Sequence, residues 1–152
     1  MVRELEKEFV MIKPDGVQRG LIGEIITRIE NAGLKIISLK MLKVSKEQAE
    51  EHYSIHKGKG FYDSLIEYIT SGPVVALVVE GKEAVKHMRR LVGATDPIEA
   101  SPGSIRGDYA LEIGRNIVHA GDSVENARME YSIYFKDSDL LEYEKIDAKW
   151  LF

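Results

Sequence analysis

The chain has 152 residues, 44% of them hydrophobic and 30% charged, which suits a globular protein able to bury one sizeable core. Its formal net charge of −4, from 21 basic and 25 acidic residues, argues against a protein whose main task is gripping nucleic acid. With no cysteine, disulfides, thiolate metal sites and cysteine nucleophiles are excluded, and no stretch approaches the ~18 apolar residues of a membrane span.

The charged start, "MVRELEKEF", has no apolar signal-peptide core, so a cytoplasmic protein is expected. "FVMI" (9–12) reads as a buried strand that enters a turn at "KPDG". Apolar residues at 21, 22, 25, 26 and 29 mark one helix face, with Gly33 as terminator. "LKIISLKMLKV" (34–44) predicts a half-exposed strand, and Ser45 with Gln48 a capping box opening a helix to about Tyr53. Phe61, Leu65, Tyr68 and Ile69 predict a further helix ending at Ser71-Gly72-Pro73.

"VVALVV" (74–79) is the most apolar strand and is expected at the centre of the sheet. A helix with Ala84, Val85, Met88, Leu91 and Val92 inside should follow and close at Gly93. The long irregular stretch "ATDPIEASPGSIRGDYALEIGR" reads as functional or disordered. Asp122 or Ser123 then caps a last helix, with Val124, Ala127, Tyr131 and Phe135 facing in. There is no internal repeat or linker, so residues 1–152 read as one domain. Alternation of strands and helices by itself suits a parallel, doubly wound sheet.

The chain lacks a Gly-x4-Gly-Lys-Ser/Thr phosphate loop, a Gly-x-Gly-x-x-Gly turn, a Gly-x-Ser-x-Gly elbow and a His-Glu-x-x-His pair. His52 and His56 have no third ligand nearby in sequence and read as surface histidines rather than a metal site. What remains is a set of cations and polar groups at element ends: Lys13, Arg89, Thr95, Arg106 and Asn116. Together they describe a pocket able to neutralise a polyphosphate, with guanidinium forks matched to phosphate oxygens. His119 ends the apolar pair Ile117-Val118, and Ala120-Gly121 after it should leave open space beside the imidazole for a phosphate. Glu130, about two turns into the last helix, could reach back to the ring. A carboxylate on one ring nitrogen fixes the tautomer and frees the other nitrogen as a nucleophile.

In "KPDGVQRGLIGEII", "SGPVVALVVEG", "GATDP", "PGSIRGDYA" and "GRNIVHAGDSVENARMEY" the chain resembles the nucleoside diphosphate kinases, in order and over nearly its whole length. The resemblance implies an α+β fold: a ferredoxin-like four-stranded antiparallel sheet with helices on one face, plus family-specific added helices and a loop. It displaces the parallel sheet. It implies that His119 takes the γ-phosphoryl group of a nucleoside triphosphate, typically ATP, and passes it to a diphosphate in ping-pong fashion. By motif position, Lys13 would contact the ribose 3′-hydroxyl and a phosphate, and Asn116 the sugar. Arg89, Thr95 and Arg106 would hold phosphates. Tyr53 would sit beside the histidine, Phe61 would stack on the base, and Glu130 would orient the ring. Mg²⁺ would arrive on the nucleotide phosphates rather than in a protein-built metal site. With only stacking on the base, broad base and sugar tolerance is expected. A homohexamer is favoured over smaller oligomers, with Trp150-Leu151-Phe152 docked on the protein or on a neighbouring copy.

The chain departs from the family pattern in three places. Gly121 replaces a common serine that bonds the orienting glutamate, Gly60 replaces a proline before the stacking phenylalanine, and "KWLF" has no acidic terminal residue. Two competing readings are a nucleotide-binding module without activity and an RNA-binding sheet. The first has the whole expected site against it, the second the acidic balance and the missing aromatic strand motif.

Overall fold

The computed structural model describes residues 4–151. Its four strands are β1 (Glu6–Ile12), β2 (Lys35–Lys43), β3 (Pro73–Gly81) and β4 (Val118–Ala120). They form one sheet in the order β2-β3-β1-β4, with every neighbouring pair antiparallel. "VVALVV" is central, as expected, pairing with β2 on one side and β1 on the other.

Side chains of successive strand residues point to opposite faces, and here both faces are covered. Val10 and Ile12 of β1 and Val75, Leu77 and Val79 of β3 pack with Ile25 and Ile29 of α2 (Ile22–Asn31). Met88 and Val92 of α5 (Ala84–Val92) complete that face. Phe9, Met11, Val74, Ala76 and Val78 turn the other way. They meet Ala49 of α3 (Lys46–His52), Ile69 of α4 (Tyr62–Ile69), and Ala127 and Tyr131 of α7 (Val124–Tyr134). Helices α2 and α5 are thus the ferredoxin-like layer, and α3, α4 and α7 cover the opposite face. Two-sided burial explains why β3 is an unbroken apolar run. Each such isoleucine or leucine contributes about 1.5–3 kcal/mol through burial.

Most helix boundaries match the signals in the sequence. Ser45 and Gln48 form the expected capping box, and Gly33 adopts φ +92° just past α2. Three details differ. Pro14 opens a short helix, α1 (Pro14–Gln18), where a turn was expected, because proline fits the first helical position. The long irregular segment contains α6 (Ile105–Tyr109), capped by Ser104, whose hydroxyl accepts from Gly107 N at 3.1 Å. One turn is too short for hydrophobic periodicity to register. Val124, expected to face in, is turned outward (41% exposed), whereas Ser123, one of the two expected caps, does cap α7 and Phe135 is buried one residue past its end.

At the outer edge of the sheet, β2 carries a bulge between Ile36 and Ser38. The returning chain covers it: Leu141 N donates to Ile37 O at 3.0 Å, and the Tyr143 hydroxyl donates to Ile36 O at 2.5 Å. Leu151 packs against Gly33, whereas Trp150 stays exposed, and Phe152 lies outside the described residues. Among the described residues, no helix is long and apolar enough to cross a membrane.

Candidate active site

β4 is three residues long, and pairing with β1 places His119 opposite Met11. The strand is entered through a tight turn. Ile117 has φ +74°, and Val118 N donates to Asn116 O at 2.8 Å, closing three residues. A positive φ at a buried β-branched residue is strained and needs support from its surroundings. That support is visible: Lys13 N donates to Ile117 O at 2.8 Å, and Ile117 N donates to Asp15 Oδ2 at 3.1 Å.

The turn directs Asn116 O and Val118 O toward one guanidinium. Arg106 donates to Val118 O at 2.6 Å, to Gly93 O at 3.0 Å and to Asn116 O at 3.3 Å, and is itself buried. The Asn116 side chain links two more expected residues. Its Oδ1 accepts from Lys13 Nζ at 2.9 Å, and its Nδ2 donates to Thr95 O at 3.2 Å. Arg89 donates to Ala120 O at 3.3 Å. Five of the six predicted nucleotide-binding residues are therefore contiguous, although Thr95 takes part here through its backbone carbonyl.

The cations are crowded. Burial, reinforced by the Arg106 charge, brings the Lys13 ammonium down to about 8, with Asp15 opposing. Burial and the Arg89 charge bring Arg106 down to about 10. Such a cluster is relieved by an anion of several charges.

On the other side of the ring, His119 Nε2 lies 2.8 Å from Glu130 Oε2. The same oxygen is 3.0 Å from His52 Nε2, and His52 Nδ1 is 2.8 Å from the Tyr134 hydroxyl. A consistent assignment has both Nε2–H groups donating to Glu130 and the tyrosine donating to His52. Burial opposes the Glu130 carboxylate, but the two imidazole hydrogen bonds outweigh it and hold its pKa at about 2. Burial pulls His119 below the ordinary histidine value despite Glu130, which favours a neutral ring with its lone pair on Nδ1.

His52 was expected at the surface and is instead buried, because α3 packs against α7 and brings it to Glu130. The predicted neighbour Tyr53 stacks on His52, at 4.3 Å between centroids. His52 in turn meets His119 edge-on at 5.1 Å. The line continues outward from Tyr53 to His56 at 6.5 Å, and from His56 to the half-exposed Phe61 at 5.3 Å. The space expected beside His119 is not open on the Gly121 side. A Cβ there would stand 2.6 Å from Glu8 Oε1 and 3.0 Å from Glu130 Oε1, and Ala120 belongs to the core.

Among the described residues, His52, His119 and Glu130 could together hold a metal ion, their ligand atoms lying within 4.8 Å of one another. Both imidazole Nε2 atoms are already hydrogen-bonded to Glu130 Oε2, and two of the three ligand atoms are nitrogens. Magnesium takes oxygen ligands, so this trio does not suit it.

Residues 6–140 match the family model described as nucleoside diphosphate kinase. Among curated relatives, the nucleoside diphosphate kinase of Ignicoccus hospitalis is 61% identical over 138 residues, covering 91% of this chain and 94% of that one. That of Archaeoglobus fulgidus is 56% identical over 148 residues, or 97% and 98% of the two chains. Among solved structures, a halophilic nucleoside diphosphate kinase from Halobacterium salinarum in complex with CDP superimposes with a TM-score of 0.95. It is 44% identical and covers 98% of this chain and 99% of its own.

Proposed function

This chain belongs to the nucleoside diphosphate kinase family of phosphotransferases, and from that premise we propose that it transfers the γ-phosphoryl group in two half-reactions through a phosphohistidine at His119. The observation that carries this reading is the His119 ring tied at Nε2 to Glu130, with the buried cations Lys13 and Arg106 nearby: Arg106 holds the Val118 carbonyl next to it, and Lys13 contributes to its charge environment. Nδ1 attacks the γ-phosphorus, the bond to the β,γ-bridging oxygen breaks, and the diphosphate leaves. Nε2 keeps its proton, donated to Glu130, so the ring becomes a phosphoimidazolium whose positive charge faces that carboxylate, without exchanging a proton with solvent. A terminal oxygen of the second diphosphate then attacks the same phosphorus and restores the lone pair on Nδ1.

The residues divide this work. Lys13 and Asn116 meet the sugar and a phosphate. Arg106, Arg89 and Thr95 hold phosphates, so that charge spreading over the transferred group is met by fixed positive groups. Phe61 supplies a stacking face and Tyr53 backs the His52–His119 pair. Stacking reads no base edge, and the site therefore accepts nucleotides broadly. Mg²⁺ would arrive on the nucleotide phosphates held by Lys13, Arg89 and Arg106, and would neutralise part of their charge. The exposed apolar side chains of Ile98, Leu111, Ile113 and Trp150 fit burial between copies, in keeping with a homohexamer of one-domain chains in the cytoplasm.

The direct test is the intact mass of the protein after mixing with ATP and Mg²⁺, recorded without acid. One added phosphoryl group, removed by GDP, is expected, and ATP binding without a mass gain would leave only a binding module. A second expectation concerns pH. Lys13 loses its proton as pH rises through about 8 in the free protein, whereas a bound polyphosphate favours the ammonium. Nucleotide affinity should therefore weaken above that pH, by up to about tenfold per unit. Titrations between pH 6 and 10 should show this slope, and the Lys13→Met variant should lack it.

A further inference from the structure

Glu8 is a fully buried acid outside the set of groups assigned so far. Its Oε1 accepts from Phe9 N at 2.9 Å, while its Oε2 is buried with no partner. Glu130 has the matching deficit: Oε2 receives both imidazoles, and Oε1 is buried with no partner. The two carboxyl groups flank Gly121, where an added Cβ would lie 2.6 Å from Glu8 Oε1, 3.0 Å from Glu130 Oε1 and 3.1 Å from Ala127 Cα. Any larger residue at 121 would drive the two groups apart.

Two carboxyl groups confined together away from water do not both ionise. Glu130 is held as the anion by His52 and His119, which leaves Glu8 to carry the proton. Resting on the reading of His119 as nucleophile, we infer that Glu8 is a positioning residue: its neutral carboxyl group supplies the donor that Glu130 Oε1 lacks, and Gly121 is the residue that admits it. Glu130 is thereby gripped at both oxygens, and the missing side chain at position 121 does not leave it loose. The charge environment agrees. Burial and the Glu130 charge push Glu8 up to about 9, against the opposing effects of the Phe9 and Gly121 N–H groups and the Arg89 charge. The other titratable groups around the pair are His119, His52, Tyr53, Tyr134 and Arg89, and the ring of Phe9 packs against His119, His52 and Tyr134.

The test compares wild type, Glu8→Ala, Glu8→Gln and the double variant Glu8→Ala/Gly121→Ser. Steady-state kcat and KM and single-turnover phosphorylation of His119 are followed from pH 6 to 10.5. Glu8→Ala should lower kcat about tenfold with nucleotide KM unchanged, the usual scale for loss of a supporting partner. Glu8→Gln, which keeps a neutral donor, should restore most of the rate, and the serine of the double variant part of it. In the wild type, kcat should fall as Glu8 ionises near pH 9, and this alkaline limb should vanish in Glu8→Gln. Titration of Lys13 is expected to show in KM instead. A wild-type kcat in Glu8→Ala, or an alkaline limb unchanged in Glu8→Gln, overturns the inference. Where Glu8→Ala does not fold, the Glu8→Gln profile decides. A wild type that never phosphorylates His119 overturns the proposed function instead.

Discussion

Replacing His119 with alanine is expected to abolish turnover, a loss on the order of 10⁴-fold or more, as for removal of other enzymatic nucleophiles. The change removes Nδ1, the proposed attacking atom, and one of the two donors to Glu130. His52 still donates to that carboxylate at 3.0 Å, so Glu130 keeps an imidazole partner and the fold should survive. Lys13, Asn116 and Arg106 are untouched, so nucleotide should still bind. The check is kcat with ATP and GDP, alongside the intact mass and a thermal melt. Turnover within tenfold of wild type would mean that phosphoryl transfer does not pass through this ring. Lost turnover with retained binding and a near-native melt would assign the chemistry to it.

Arg106→Ala is expected to remove roughly 2–4 kcal/mol of transition-state stabilisation, a drop of about 10²–10³ in kcat/KM. The structure adds a second effect that the sequence did not suggest. Arg106 donates to the carbonyls of Asn116, Val118 and Gly93, and its loss leaves all three without that donor. A buried acceptor left with no partner costs about 1–3 kcal/mol, and although Asn116 O keeps Val118 N at 2.8 Å, the variant should also melt earlier. Kinetics at a temperature where the variant is fully folded separate the two effects. Arg106→Lys keeps a charge but not the planar fork, and should fall between alanine and wild type. An unchanged kcat/KM in folded Arg106→Ala would place the phosphates elsewhere.

The antiparallel order of strands came from the family resemblance, since alternation alone suits a parallel sheet equally well. The pairing of His119 with Glu130 was legible because both ends of the contact lie close in the chain, across a single strand-to-helix step. The contacts that complete the site were not. His52 sits on a seven-residue helix whose other buried side chain is Ala49, too little pattern to reveal which face turns inward. Glu8 stands in a run of charges, and only strand pairing, with Gly121 N donating to Phe9 O at 3.1 Å, carries it to Glu130. Gly121 itself was legible as a small residue, but smallness does not say what fills the room. That room is taken by carboxyl oxygens rather than left for a phosphate.

The covered edge of β2 bears on how the protein behaves at high concentration. A nine-residue strand at the margin of a sheet invites strands of other molecules to add to it, the first step toward fibrous aggregates. Here the bulge at Ile37 breaks the register such an addition would need, and Leu141 and Tyr143 already occupy the carbonyls of Ile37 and Ile36. Lys40 and Lys43 add exposed charge farther along the same strand. The segment that follows α7 therefore guards solubility at the opposite margin of the sheet from the strand that carries His119.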